Sequence, residues 1–145
     1  MTIPLRTGQA IRFGAGEAGL RAIGTGWSAP EPGQVWSDGP EAWLHLGLGH
    51  VPSGSRLVIH ASPYLGDGSD HQPVLLFGNG AFLHSGRLER DGTLACSIPT
   101  YLTPGLIAFG QLDLAFALPG CRIDRGGADS RRLGLALHAL QLQAA

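Results

Sequence analysis

The chain has 145 residues, 43% of them apolar and 14% charged, with 23 glycines and 10 prolines. That length holds one domain with a core of its own, and a chain so apolar is not disordered. The formal net charge is −1, lysine is absent and the arginines are scattered, so no basic stripe for nucleic acid or an anionic membrane surface is visible unless Arg122, Arg125, Arg131 and Arg132 cluster.

In chain order, the N-terminal stretch Met1 to Arg12 lacks the apolar segment of a signal peptide. Gln9 to Phe13 and Gln34 to Ser37 are short strand candidates. From Glu41 to Leu48, Leu44, Leu46 and Leu48 face one way, and Trp43, His45 and Gly47 the other. Arg56 to Leu65 alternates in the same way, with Leu57, Ile59 and Ala61 opposed by Val58, His60 and Ser62. Gln72 to Phe77 and Ala81 to Leu88 flank Gly78-Asn79-Gly80, and an Asn-Gly pair between apolar runs is a hairpin signal because both residues tolerate positive φ. Thr93 to Ile98 is a strand closed by Pro99, and residues 99–111 hold one irregular turn. Leu112 to Leu118 alternates until Pro119-Gly120 ends it. Arg132 to Leu142 is rich in Leu and Ala, which favour helix, yet its alternation over ten residues predicts one long strand.

These segments make eight to ten strands with little helix. The expected fold is all-β: a single domain over 1–145, an antiparallel two-sheet β-sandwich of jelly-roll type. No apolar run reaches the ~20 residues that a membrane span needs. The expected location is cytoplasmic, and Cys96 and Cys121 fit a reduced compartment unless the fold pairs them.

Two loop-like stretches stand out. Gly26-Trp27-Ser28-Ala29-Pro30-Glu31-Pro32 is followed by Gln34-Val35-Trp36-Ser37-Asp38-Gly39. Aromatic rings flanked by carboxylates and hydroxyls suit a sugar, since a ring covers the apolar pyranose face and polar groups take its hydroxyls. The plainer alternative is that both Trp plug the end of the sandwich while Glu31 caps backbone amides or pairs with an Arg. The second stretch is Asp124-Arg125-Gly126-Gly127-Ala128-Asp129-Ser130-Arg131-Arg132-Leu133-Gly134. There Asp129 and Arg131 either order their own loop or pair with Glu31 across the molecule. If the stretches meet at one end of the sandwich, Trp27, Ser28, Glu31, Trp36, Asp38, Asp129 and Arg131 form one candidate ligand site.

The succession G-W-S-x-P-E-P, x-W-S-D-G, Q-P-V with N-G, and D-x-R-x-L-G resembles a jelly-roll accessory domain of bacterial cell-surface polysaccharide synthesis. Gly26, Trp27, Pro30, Glu31, Trp36, Ser37, Gln72, Asn79, Gly80, Asp129, Arg131, Leu133 and Gly134 carry the likeness, which spans about residues 24–142. One departure is Gly33, where such sequences commonly have an aromatic residue after P-E-P. The resemblance implies a carbohydrate-linked, noncatalytic role beside a glycosyltransferase.

Other chemistry finds less support. His45, His50, His60, His71, His84 and His138 are scattered, with no H-x-H, no H-E-x-x-H and no finger-spaced Cys pair, so no metal or other cofactor is expected. Asp67, Asp70 and His71 offer oxygen for calcium but in too short a loop for an EF-hand. G-x-S-x-G is absent, and Gly14-Ala15-Gly16 completes neither a P-loop nor a dinucleotide fingerprint. Glycoside hydrolysis would need two carboxylates, for which Glu31 with Asp129 or Asp38 is the pair to test.

Three functions follow in order of preference: a noncatalytic carbohydrate-binding or accessory module, a structural or protein-interaction β-sandwich subunit, and a sugar-active enzyme using Glu31. The expected partners are an oligosaccharide or polysaccharide and a glycosyltransferase. A homo-oligomer is open, and neither nucleic acid nor a membrane span is expected.

Overall fold

The structure is a computed structural model that describes residues 3–49, 51–52, 54–66, 68–99, 110–123 and 129–145. Eleven strands fall among these residues: β1 (Ile3–Leu5), β2 (Ile11–Arg12), β3 (Val35–Asp38), β4 (Glu41–Leu48), β5 (Arg56–Pro63), β6 (Gln72–Gly78), β7 (Ala81–Leu88), β8 (Gly92–Ser97), β9 (Gln111–Ala117), β10 (Arg122–Ile123) and β11 (Arg132–Gln143). A 3-10 turn, Ala18–Ala22, is the one helical element among them. No helix of the described residues is long and apolar enough to cross a membrane. The expected turn over 99–111 and the Asp124–Ala128 half of the Gly-rich loop, with Arg125, lie largely or wholly outside the described residues, as do His50 and Asp67.

The fold is an all-β, two-sheet sandwich. Strands β3, β11, β5 and β8 lie side by side in one sheet. In the other, β4, β9, β6 and β7 do so, and β1 adds a parallel edge beside β4. The chain changes sheet at every step from β3 to β6 and folds back in the β6–β7 hairpin. It then crosses again through β8 and β9 to β11. That path is the double wrap of a jelly roll. The expectation of an antiparallel jelly-roll sandwich therefore holds for the eight longer strands; β1, β2 and β10 are two or three residues each.

Period-two alternation builds the core. Leu44 and Leu46 of β4, Leu57 and Ile59 of β5, Leu76 of β6, Leu114 and Phe116 of β9 and Leu135 of β11 are all buried between the sheets. Their neighbours face outward: Trp43 and His45 on β4, Val58 and His60 on β5, and Asp113 on β9. At the β6–β7 turn Asn79 and Gly80 have φ of 48° and 85°, the two positive values that a tight hairpin requires. The Asn79 side chain fastens this tip to β9, donating to Gln111 O at 3.0 Å and accepting from Asp113 N at 2.7 Å.

The long strand β11 departs from unbroken alternation. Leu133, Leu135 and Leu137 are buried, and then Leu140 and Leu142. The parity changes at His138, where the register against β5 shifts between Leu137 and Ala139. A single inserted residue lets both halves of the strand keep leucines in the core, and it turns His138 toward β5 on the outer face.

Candidate functional site

The two distinctive stretches do come together. Arg131 donates Nε and NH2 to Asp129, with its shortest contact 2.6 Å, and NH1 to Ser28 Oγ at 2.8 Å. The same NH1 lies 3.5 Å from Glu31 Oε2. Arg131 thus does both things open to it from sequence: it orders its own loop and pairs with Glu31 across the molecule. Hydrogen bonds from the Arg131 side chain and backbone hold the Asp129 carboxyl down at about 2, against an ordinary value near 3.9. Each polar group here is engaged internally. Ser28 Oγ also donates to Trp36 O at 3.2 Å, and Glu31 Oε1 accepts from Gln34 Nε2 at 3.4 Å.

The other residues of the expected site have their own seats. Trp27 is half-buried, edge-on to Phe116 with ring centres 5.7 Å apart, and its Nε1 donates to Trp43 O at 2.8 Å. Trp36 meets Tyr64 edge-on at 6.2 Å. Asp38 Oδ1 accepts from Arg132 N at 3.0 Å, and buried Ser37 Oγ accepts from Gly134 N and Leu135 N. These bonds sew β3 to the start of β11.

A second feature lies on the outer face of the β4-β9-β6 layer. Trp43, Ala115 and Phe77 stand opposite one another across three adjacent strands, and Glu41, Ala117 and Leu75 form the next row. Bulky rings on the flanking strands and methyl groups on the middle one leave a groove of about 400 Å³. Trp43 stacks on His45 with planes 15° apart, and Phe82, exposed by 51%, meets Phe77 edge-on at 5.8 Å. Polar groups lie in the groove and in the rows beyond it on the same face. Trp43 Nε1 donates to Glu41 Oε2 at 3.3 Å, and Asp113 Oδ1 accepts from Gln111 Nε2 at 2.6 Å and lies 2.7 Å from His45 Nδ1. Burial alone would raise the Asp113 carboxyl, but the bonds from His45 and Gln111 outweigh it and hold it below the ordinary value. In sequence, the one sign of this groove is the outward Trp43 of an alternating strand; its partners come from register between distant strands.

A third feature lies on the opposite sheet. His60 Nε2, Asp91 Oδ1 and His138 Nε2 are all within 4.8 Å of one another, and Ser62 Oγ lies among them. Asp91 is held below its ordinary value, chiefly by the hydrogen bond from Ser62. No spacing in the sequence marks this trio. The two thiols, buried Cys96 and half-buried Cys121, are free.

No protein-family model matches the chain, and no curated protein matches it either. Among solved structures it is similar to a carbohydrate-binding module CBM36 in complex with calcium and xylotriose, at 10% identity and a TM-score of 0.46, over 97% of this chain and 93% of that one. It is also similar to the CBM36-1 domain of a multidomain xylanase from the hindgut metagenome of Trinervitermes trinervoides, at 10% identity and a TM-score of 0.48, over 94% of this chain and 97% of that one. A likeness at this level assigns no ligand and no role to the present chain.

Proposed function

We propose that this chain is a saccharide-binding module without chemistry of its own, and that the sugar lies in the groove between Trp43 and Phe77. The cross-strand row Trp43–Ala115–Phe77 carries this reading. A pyranose has an apolar face of C–H groups and a rim of hydroxyls. Indole and phenyl walls over an alanine floor suit the face, while Glu41 in the lining and Asp113 one row beyond suit the hydroxyls. The volume of about 400 Å³ lies within the range of small-ligand sites.

A second reading keeps the ligand at the loop site of Trp27, Ser28, Glu31, Trp36, Asp38, Asp129 and Arg131, and it is favoured by the meeting of the two stretches at Arg131. The groove is preferred because its rings wall an open hollow of about 400 Å³, whereas Trp27 and Trp36 of the loop site pack edge-on against Phe116 and Tyr64. The Arg131 contacts favour a noncatalytic role. A glycosidase acid needs a raised pKa, whereas the Asp129 carboxyl is held at about 2. The motif resemblance supports a bacterial surface polysaccharide as the saccharide and a glycosyltransferase as the enzyme served.

Calorimetric titration of the chain with a panel of bacterial and plant oligosaccharides tests this. At least one should bind, and Trp43→Ala or Ala115→Leu should weaken it ~10-fold or more, about 1.4 kcal/mol, while Trp36→Ala leaves it unchanged. The reverse pattern would move the site to the loops. A stable oligomer in light scattering that answers to no saccharide would favour an interaction module instead.

A further inference from the structure

The cluster His60, Ser62, Asp91 and His138 joins three separate parts of the chain on the outer face of the β3-β11-β5-β8 sheet. His60 and Ser62 come from β5, Asp91 from the turn between β7 and β8, and His138 from the bulge of β11. His60 Nε2 is 3.0 Å and His138 Nε2 3.6 Å from Asp91 Oδ1. The two imidazole rings have centres 4.8 Å apart.

The protons of this cluster can be placed. His138 Nδ1 lies 3.2 Å from Gly33 O, a carbonyl that only accepts, so Nδ1 carries a hydrogen and Nε2 is the nitrogen turned to the cluster. Ser62 Oγ is 2.7 Å from that Nε2 and 2.9 Å from Asp91 Oδ1. One hydroxyl hydrogen cannot serve both groups, so the cluster accommodates one further positive centre at Nε2, a place that a proton or a metal ion can fill.

We propose that His60, Asp91 and His138 bind a divalent transition ion such as zinc, with Nε2, a carboxylate oxygen and Nε2 as ligands. A tetrahedral ion bonded at ~2.0–2.1 Å keeps its donor atoms ~3.3 Å apart, so the two contacts to Asp91, at 3.0 and 3.6 Å, need little adjustment, while the two imidazole nitrogens, within 4.8 Å of each other, draw together around the ion. Two imidazoles and one carboxylate select zinc, copper or nickel rather than a hard oxygen-seeking ion such as calcium. The bond from His138 Nδ1 to Gly33 O is the outer support that fixes a ligating ring. It also gives Gly33 a use: its φ of 75° turns its carbonyl toward His138. A cavity of about 290 Å³ lined by Val58, His60, Thr93 and Leu140 lies beside the site, leaving room for a water or a ligand atom as the fourth donor. The ion would clamp the β7–β8 turn to the centre of the sheet.

The test uses the full chain stripped with chelator and titrated calorimetrically with Zn²⁺, and separately with Co²⁺ followed by its visible absorption. One ion per chain with a Kd at or below ~10 µM is expected, together with a tetrahedral cobalt spectrum and a rise in Tm on zinc addition. Asp91→Asn and His138→Gln should each weaken binding ~10-fold or more, while Ser62→Ala and His84→Ala retain it and Ca²⁺ in excess does not compete. No single site tighter than ~100 µM, an affinity that both ligand variants leave unchanged, or displacement by Ca²⁺ would overturn the proposal. Should His138→Gln fail to fold, Asp91→Asn decides alone, because Asp91 sits in an exposed turn.

Discussion

Replacing Gly26 with alanine probes the seam that holds both Trp27 and the backbone of Trp43. Gly26 has φ of +92°, and a Cβ there would lie 2.0 Å from Glu41 O and 2.7 Å from Ala42 Cα. Both neighbours are backbone of β4, so no side-chain rotation relieves the overlap. The seam is closed by Trp43 N donating to Thr25 O, Gly24 N to Trp43 O and Asp38 N to Gly26 O, all within 2.8–2.9 Å. The left-handed backbone costs an alanine ~1 kcal/mol. Parting the strands far enough to admit the methyl weakens one or two of these bonds at ~1 kcal/mol each. The total is ~2–3 kcal/mol, or ~6–9 °C in Tm for a domain of this size. Gly33→Ala is the matched control, with φ of +75° and no atom within 4 Å of its Cβ; it should cost only the ~1 kcal/mol of backbone strain. Urea unfolding followed by circular dichroism measures both. If the two variants lie within ~0.5 kcal/mol of each other, which is the spread expected at unremarkable surface sites, the close approach of Gly26 to β4 is not a source of stability.

Two further predictions concern ionisable groups. Burial raises the Cys96 thiol to about 11, so at neutral pH it stays protonated and inert; a thiol reagent should label one cysteine quickly, Cys121, and the second only on unfolding, and two fast thiols would contradict the fold. The Asp129 carboxyl is depressed to about 2, so the stability it lends is present above its ordinary value near 3.9 and is lost as pH falls toward 2. Asp129→Asn should flatten the acid limb of the stability curve in that window, and an unchanged limb would show that the Arg131 contact forms no part of the folded state's proton balance.

The sandwich was legible because a half-buried strand writes its two faces into alternate residues. Leu44, Leu46 and Leu48 are separated by Trp43, His45 and Gly47, and the Asn79-Gly80 turn states its own φ requirements. The short strands β1 and β10 were not legible, since three or two residues show no period and are held by their neighbours' edges. The bulge of β11 was written in the leucines, whose numbers pass from odd to even between Leu137 and Leu140, but an unbroken alternation fits most of the strand and hides the step. The meeting of Glu31, Ser28, Asp129 and Arg131 was anticipated from scarce charges gathered in two loops. The groove and the histidine cluster were not. Ala115 is unremarkable until register sets it between Trp43 and Phe77, and His60 and His138 lie 78 positions apart. Both depend on which strands pair, and no local pattern encodes that.

The most direct test of saccharide binding in the groove is a two-dimensional ¹H–¹⁵N spectrum of the three indole N–H groups, from Trp27, Trp36 and Trp43, during titration with a bound oligosaccharide. The Trp43 signal should move progressively and saturate while those of Trp27 and Trp36 stay in place. A Trp43 signal that remains still, with saturating shifts confined to Trp27 or Trp36, would contradict it.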